Sequence, residues 1–278
     1  MSKNLDEATV RSFGQEWSRF DQLALSEDEL KTIFRGYFDI FPWERLPPNA
    51  RGADIGCGTG RWARFVASRV SELHCVDASE GALSVARQNL ALFSNVVFHH
   101  ASVDTLPFEE GSLDFAYSLG VLHHLPDVAG GLSACTRILK PGAPLLLYLY
   151  YAFDHRPRWY RWLWRLSDRA RRTISGLTPA AKALVCDGIA AVIYWPLARG
   201  ARILERLDMD VFDLPLSEYR ERSFYSMRTD ARDRFGTPLE KRFRAAEIRQ
   251  MMSEAGLTDV RLSASPPFWC AVGFRASM

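Results

Sequence analysis

The sequence predicts an α/β fold built on a parallel sheet with helices on both faces. Three observations carry that reading. Strand-like runs alternate with helix-like stretches from Arg51 to Tyr151. Three glycines, Gly56, Gly58 and Gly60, close the first strand-like run. The stretch Pro144 to Tyr151 is almost wholly apolar, as in a strand buried on both faces.

The elements follow in chain order. Glu27 to Phe41 reads as a helix, preceded by a stretch bearing Phe13, Trp17 and Phe20; residues 1–49 are expected to form an N-terminal helical lid. Ala53-Asp54-Ile55 is a short strand ending in the glycines, and Arg61 to Val70 a helix. Leu73 to Asp77 is a second strand, and Ser79 to Leu90 a helix with Ser79 as a good N-cap. Val96 to His100 and Leu113 to Leu119 are the third and fourth strands. Val128 to Leu139 is a helix stopped by Pro141-Gly142, and Pro144 to Tyr151 is the fifth strand. Arg244 to Ala255 is a helix capped by Gly256, followed by a hairpin of Val260 to Ser265 and Phe268 to Phe274.

Between these parts the pattern breaks. Residues 152–235 show no clear strand, only arginine-rich helical stretches punctuated by Pro157, Pro179, Pro196 and Pro215. They read as a helical insertion after the fifth strand, leaving 50–151 and 236–278 as one sheet domain. Charge supports the division, at −5 for residues 1–150 and +5 for 151–235. A basic segment suits an anionic partner.

Several classes drop out. Cys57, Cys75, Cys135, Cys186 and Cys270 are scattered, without the spacing of a zinc site or disulfide framework, so no metal is expected. His99-His100 and His123-His124, if on strands, would point to opposite faces and make no chelate. Met1 to Val10 is polar and lacks the apolar core of a signal peptide, so a cytoplasmic protein is expected. Gly188 to Ala198 is apolar over only 11 residues, too short to span a bilayer, and reads as a core helix.

The stretch Asp54 to Arg61 holds the main chemical signal. Glycines at a strand end allow a sharp turn and close approach of backbone to ligand. A dinucleotide fingerprint would place its third glycine at Arg61, and Asp54 would repel a pyrophosphate. A carboxylate there suits a ligand carrying an ammonium group. No Gly-Lys-Ser/Thr follows, which excludes a phosphate-binding P-loop. Asp77, ending the second strand, is placed to accept hydrogen bonds from ribose hydroxyls.

DIGCGTGR (54–61), VDAS (76–79), SVDTLPF (102–108), SLDFAYSLGVLHHLPD (112–127) and RILKPGAPLLLY (137–148) together resemble the class I S-adenosylmethionine-dependent methyltransferases. The likeness is nearest to the small-molecule group that includes quinone-biosynthesis enzymes. It implies a Rossmann-like seven-stranded sheet and S-adenosylmethionine as cofactor, with S-adenosylhomocysteine as product. By the same resemblance Gly56, Cys57 and Gly58 border the methionine part, with Asp54 near its amino group. Asp77 binds the ribose and Ala78 lies beside the adenine. Ser118 and Leu119 line the methionine side, with His123 near the cofactor's tail. The chain departs from the family pattern where an acid often meets the adenine amino group: that position is Ser102, with Asp104 two residues on. Ser102 with the backbone of Val103 is the favoured contact, and Asp104 the alternative.

Methyl transfer from a sulfonium needs positioning and, for some acceptors, a base. The candidates are His123, His124 and His155, with Tyr150 or Tyr151 as alternatives. Tyr150, Tyr151, Arg161 and Arg165 are the candidate acceptor contacts. Trp159, Trp162, Leu163 and Leu166 share one helix face beside an arginine stripe. That helix is a packed amphipathic one with a solvated basic face, or it meets an anionic acceptor or a membrane surface.

The expected function is methyl transfer to a small organic acceptor, a natural-product or sugar-like hydroxyl or amine. The alternatives are a lipid or quinone headgroup at a membrane, and a non-catalytic cofactor-binding subunit or sensor. Nucleic acid is not expected as a partner: the Asn/Asp-Pro-Pro-Tyr/Phe of amino-methylating DNA enzymes is missing after the fourth strand.

Overall fold

A computed structural model describes residues 25–277 together with 4, 6, 7, 9 and 10. The expected aromatic stretch with Phe13, Trp17 and Phe20 lies outside the described residues. The chain divides into two compact units, one of 32–151 and 239–277, the other of 25–31 and 152–238.

The first unit holds a seven-stranded sheet. In chain order it comprises the later part of α1 (Glu27–Phe38), β1 (Arg51–Ile55), α2 (Ala63–Ala67), β2 (Glu72–Asp77), α3 (Glu80–Asn89) and β3 (Val96–His100). There follow β4 (Phe115–Leu119), α4 (Val128–Arg137), β5 (Pro144–Tyr148), α9 (Ala245–Glu254), β6 (Leu257–Leu262) and β7 (Cys270–Arg275). The strand order is β3-β2-β1-β4-β5-β7-β6. The first five strands pair in parallel, and β7 runs antiparallel to both β5 and β6. This is the Rossmann-like α/β sheet of class I methyltransferases. The chain order reverses between β1 and β4, and in such sheets a ligand crevice opens beyond the strand ends at that point.

Local chemistry explains the elements. Ser79 caps α3, its hydroxyl accepting from Ala82 N at 3.3 Å, and Asp127 caps α4 by accepting from Gly130 N at 3.0 Å. Leu145, Leu146 and Leu147 of β5 are all buried, and Leu145 and Leu147 fill one core with Leu132, Ile138, Ile248 and Met252, while Leu146 faces the other side of the sheet. The sheet accounts for two shifted boundaries. Leu113 makes only an isolated bridge to Leu139, so β4 begins at Phe115. The hairpin strands begin at Leu257 and Cys270, not Val260 and Phe268, because β7 takes its register from β5 and β6 takes its register from β7.

The second unit is helical among the described residues, with α5 (Arg158–Ser175), α6 (Pro179–Ile189), α7 (Trp195–Arg206) and α8 (Phe224–Gly236). A π-turn over Ala190–Tyr194 joins α6 and α7 into one 28-residue helix, Pro179–Arg206. Its inward stripe of Cys186, Ala190, Tyr194 and Ala198 packs on Met227, Ala231 and Phe235 of α8. Gly188 to Ala198 is therefore not the core helix the sequence suggested. Val192 is 75% exposed, and Ile193, Trp195 and Leu197 are exposed too. Small residues face inward and large apolar ones outward, a division that apolar composition alone does not reveal. By length and composition this is the one helix among the described residues able to cross a membrane.

Candidate active site

The cradle at the β1 and β2 ends is built from the glycine loop and two carboxyls. Gly56 and Gly60 have φ of +79° and +73°, the left-handed region that favours glycine. A Cβ on Gly56 would stand 2.4 Å from Val121, and one on Gly60 would stand 2.7 Å from Leu90. Those turns bring the loop back to β2, where Gly56 N and Cys57 N both donate to Val76 O. Cys57 and Cys75 are hydrogen-bonded neighbours, and this contact together with burial pushes the Cys57 thiol well up, so it is no nucleophile.

Asp77 ends β2. Its Oδ2 accepts from Gly58 N at 2.9 Å and its Oδ1 from Ser79 N at 2.8 Å, which orients the carboxylate. Burial by surrounding protein raises its pKa, against these hydrogen bonds. Asp54 is 2% exposed, and its Oδ2 accepts from the Tyr117 hydroxyl at 2.9 Å. Burial pushes its carboxyl up to about 8; the Tyr117 hydrogen bond opposes the rise and the charge of Asp77 adds to it. A buried acid in that state is matched when a cation comes beside it. The pair of carboxyls suits S-adenosylmethionine, with its ammonium for Asp54 and its ribose hydroxyls for Asp77.

The other expected cofactor contacts are placed as follows. Ala78 follows Asp77, and its carbonyl lies 3.0 Å from His100 Nε2. Ser102 caps a 3₁₀ turn, its hydroxyl 3.2 Å from that of Thr105, with Val103 buried beneath. Asp104 is bound by Asn4, through the Asn4 backbone N–H and side-chain amide at 2.8 Å each. The Ser118 hydroxyl donates to Ile55 O at 2.9 Å. That side chain ties β4 to β1, and Leu119 is half-buried beside it.

His99 and His100 lie on β3, in keeping with the strand reading, and the second histidine pair departs from it. His123 and His124 lie in a 3₁₀ turn, Leu122–His124, with ring centroids 4.0 Å apart. His123 is fully buried, stacks on Tyr150 at 3.8 Å, and has no hydrogen-bond partner at either ring nitrogen. Burial, then the nearby His124 and Arg242, hold its pKa well below the ordinary value, so it stays neutral. His124 Nδ1 lies 2.6 Å from Leu239 O. A carbonyl only accepts, so Nδ1 carries a proton. His155 belongs to the second unit, against the ring of Phe212, with its pKa lowered by burial.

Sequence reasoning missed two features. Tyr117 pairs with Asp54 in the β1–β4 register, so the two side chains share a face; only the strand register shows this. The segment 239–243 laces along the histidine turn. Lys241 N donates to His123 O at 3.0 Å and Phe243 N to Tyr150 O at 2.8 Å. Arg242 is buried in an ion pair with Glu240 at 2.7 Å, its guanidinium 5.1 Å from the Tyr150 ring centre. Tyr151 is buried and bridges Phe243. This segment has no periodicity, so the sequence held no signal for it. In the second unit Arg165 of α5 is exposed and Arg161 half-buried.

The sheet has the fold of the class I S-adenosylmethionine-dependent methyltransferases. Residues 53–147 match the family described as "Methyltransferase domain". The chain is 36% identical over 153 residues to a ubiquinone biosynthesis O-methyltransferase of Aromatoleum aromaticum, covering 51% of this chain and 62% of that one. It is 34% identical over 95 residues to a demethylmenaquinone methyltransferase of Staphylococcus aureus, covering 33% and 39%. The chain thus spans 62% or less of these curated relatives' lengths. Among solved structures, a chain of the Haloferax volcanii complex between the Trm112 methyltransferase activator and a methyltransferase superposes with a TM-score of 0.54. That match has 16% identity and covers 97% of this chain and 98% of that one. The S-adenosylmethionine-dependent methyltransferase SibL gives 0.54 at 17% identity, covering 89% and 55%. Both show the fold. Over residues 53–147 the chain matches the methyltransferase-domain family, and its fold is that of the class I S-adenosylmethionine-dependent methyltransferases.

Proposed function

We propose that the protein transfers a methyl group from S-adenosylmethionine to a small organic acceptor, and that the acceptor reacts through a hydroxyl. The observation that carries the reading is the Asp54–glycine loop–Asp77 cradle, with its buried acid of pKa about 8. Bound S-adenosylmethionine supplies a methyl group already activated by positive sulfur. Asp54 and Tyr117 hold the amino end, Asp77 orients the ribose, and the glycine loop sets the depth.

His124 is the base in this reading. Its Nε2 lone pair takes the acceptor's hydroxyl proton as the new carbon–oxygen bond forms, and Leu239 O holds the ring through Nδ1. His123 supports the turn by stacking on Tyr150. We assign acceptor recognition to residues 152–238, with Arg161 and Arg165 for an anionic group and His155 as the alternative base.

The sugar-like acceptor is the weaker of the two chemistries. The names of the curated relatives favour a quinone-type headgroup. The family match, 53–147, lies outside residues 152–238, so the acceptor itself stays a proposal. Mass spectrometry of a cell extract incubated with the protein and trideuteromethyl-labelled cofactor tests the reading. One labelled product names the acceptor. No labelled product from any extract favours a cofactor-binding subunit or sensor.

A further inference from the structure

Two helices of the second unit turn large apolar side chains to solvent. On α5, Trp159 is 50% and Trp162 65% exposed, and Leu163 and Leu166 complete the stripe. The opposite side of α5 is spent inward: Arg171 is buried, donating to Thr237 O at 2.9 Å and pairing with Asp168 at 2.7 Å. The joined α6–α7 helix exposes Leu184, Val192, Ile193, Trp195 and Leu197. Its internal charges point the other way. Asp187 pairs with Arg228 of α8 at 2.8 Å, and Lys182 donates to Gly236 O at 3.0 Å. The outward face between Ala183 and Ala198 therefore carries no charge. Monomeric proteins rarely leave so much large apolar surface uncovered.

The charge beside this surface identifies what covers it. Arg158, Arg165 and Arg169 are exposed next to the Trp–Leu stripe, and none of them makes an ion pair among the described residues. Tryptophan and leucine flanked by unpaired arginine is the composition of a helix lying in a bilayer interface. Arginine neutralises lipid phosphate while its stem covers apolar surface. We propose that this helical unit docks on the surface of an anionic phospholipid bilayer, with the α5 stripe in the interfacial layer, Arg158 and Arg169 on phosphates, and the outward face of α6–α7 as a second apolar contact. A second copy of this chain would cover apolar faces but leave the arginines unmatched. The proposal is independent of which acceptor is methylated.

Vesicle co-sedimentation of the full chain tests it, using equal parts phosphatidylglycerol and phosphatidylcholine against phosphatidylcholine alone. We expect binding to the anionic vesicles, about tenfold or more weaker on the neutral ones and in about 0.5 M salt. Trp162→Glu and the double variant Leu184→Glu/Val192→Glu should each weaken it about tenfold or more, with S-adenosylhomocysteine affinity unchanged. Should either apolar variant fail to fold, Arg158→Glu/Arg169→Glu, at exposed positions, carries the same expectation. No vesicle binding, or equal binding to both vesicle types, overturns the proposal. So does concentration-dependent dimerisation abolished by Trp162→Glu without vesicle binding. Retention in membranes through alkaline carbonate extraction would mean that Pro179–Arg206 crosses the bilayer, which also overturns surface docking. Failure of these tests leaves cofactor binding and labelled-product formation untouched, so the two readings fail separately.

Discussion

The Tyr117 hydroxyl donates to Oδ2 of Asp54 at 2.9 Å, across the two strands where the sheet order reverses. This is the floor of the cradle, and under the proposed function its titration makes cofactor binding pH-dependent. Asp54 is raised from 3.8 to about 8, so it is mostly protonated at neutral pH in the free protein. A ligand with an ammonium group favours the ionised form, so binding releases a proton. Affinity for S-adenosylhomocysteine should rise from about pH 6 to about pH 8, by up to about tenfold per unit, then level off once Asp54 is already ionised in the free protein. Without ligand the sign reverses. The folded acid holds a proton that the unfolded chain releases, so stability falls as pH rises through the window from 3.8 to about 8. Asp54→Asn should flatten both profiles. Calorimetry in buffers of different ionisation enthalpy counts the proton directly.

Tyr117→Phe removes the group that holds the Asp54 pKa down. The pKa should climb further, and affinity at neutral pH should fall by about 1 kcal/mol. Raising the pH should recover part of the loss. An affinity identical to wild type across the whole pH range would detach this pair from the ligand.

The two neighbouring histidines should separate cleanly. His124→Ala should lower turnover by about 10²–10⁴ while leaving S-adenosylhomocysteine affinity within about threefold. His123→Ala opens a cavity beside Tyr150 and should lower stability by roughly 2–4 kcal/mol, read by denaturant unfolding. Equal turnover losses in His155→Ala and His124→Ala would remove the assignment of the base to His124.

Much of this was legible in the sequence, and what was not has physical reasons. The seven strands, the Ser79 cap and the glycine loop rest on local periodicity and turn chemistry, and they stand where expected to within a few residues. Ser118 and Tyr117 could not be sorted by periodicity, since both are buried in β4. Only the pairing with β1 shows that one ties the sheet and the other meets Asp54. The lacing of 239–243 onto His123 and Tyr150 depends on residues more than 90 positions apart that share no repeat. Apolar composition alone makes α6–α7 read as core, because it does not say which side is packed.

Acceptor recognition by the helical unit is tested by Arg161→Ala/Arg165→Ala, assayed without lipid. Turnover should fall, and S-adenosylhomocysteine affinity should stay within about threefold, or roughly 0.7 kcal/mol. Collapse of cofactor affinity instead would refute the division of labour.

Titration calorimetry of S-adenosylhomocysteine against wild type and Asp77→Ala tests the central claim most directly. Wild type should bind S-adenosylhomocysteine and show no heat with NAD. Asp77→Ala should lose on the order of 1.5–3 kcal/mol, the range for hydrogen bonds to a charged group. Wild type failing to bind, or Asp77→Ala binding as tightly as wild type, would contradict the assignment of this cradle to S-adenosylmethionine.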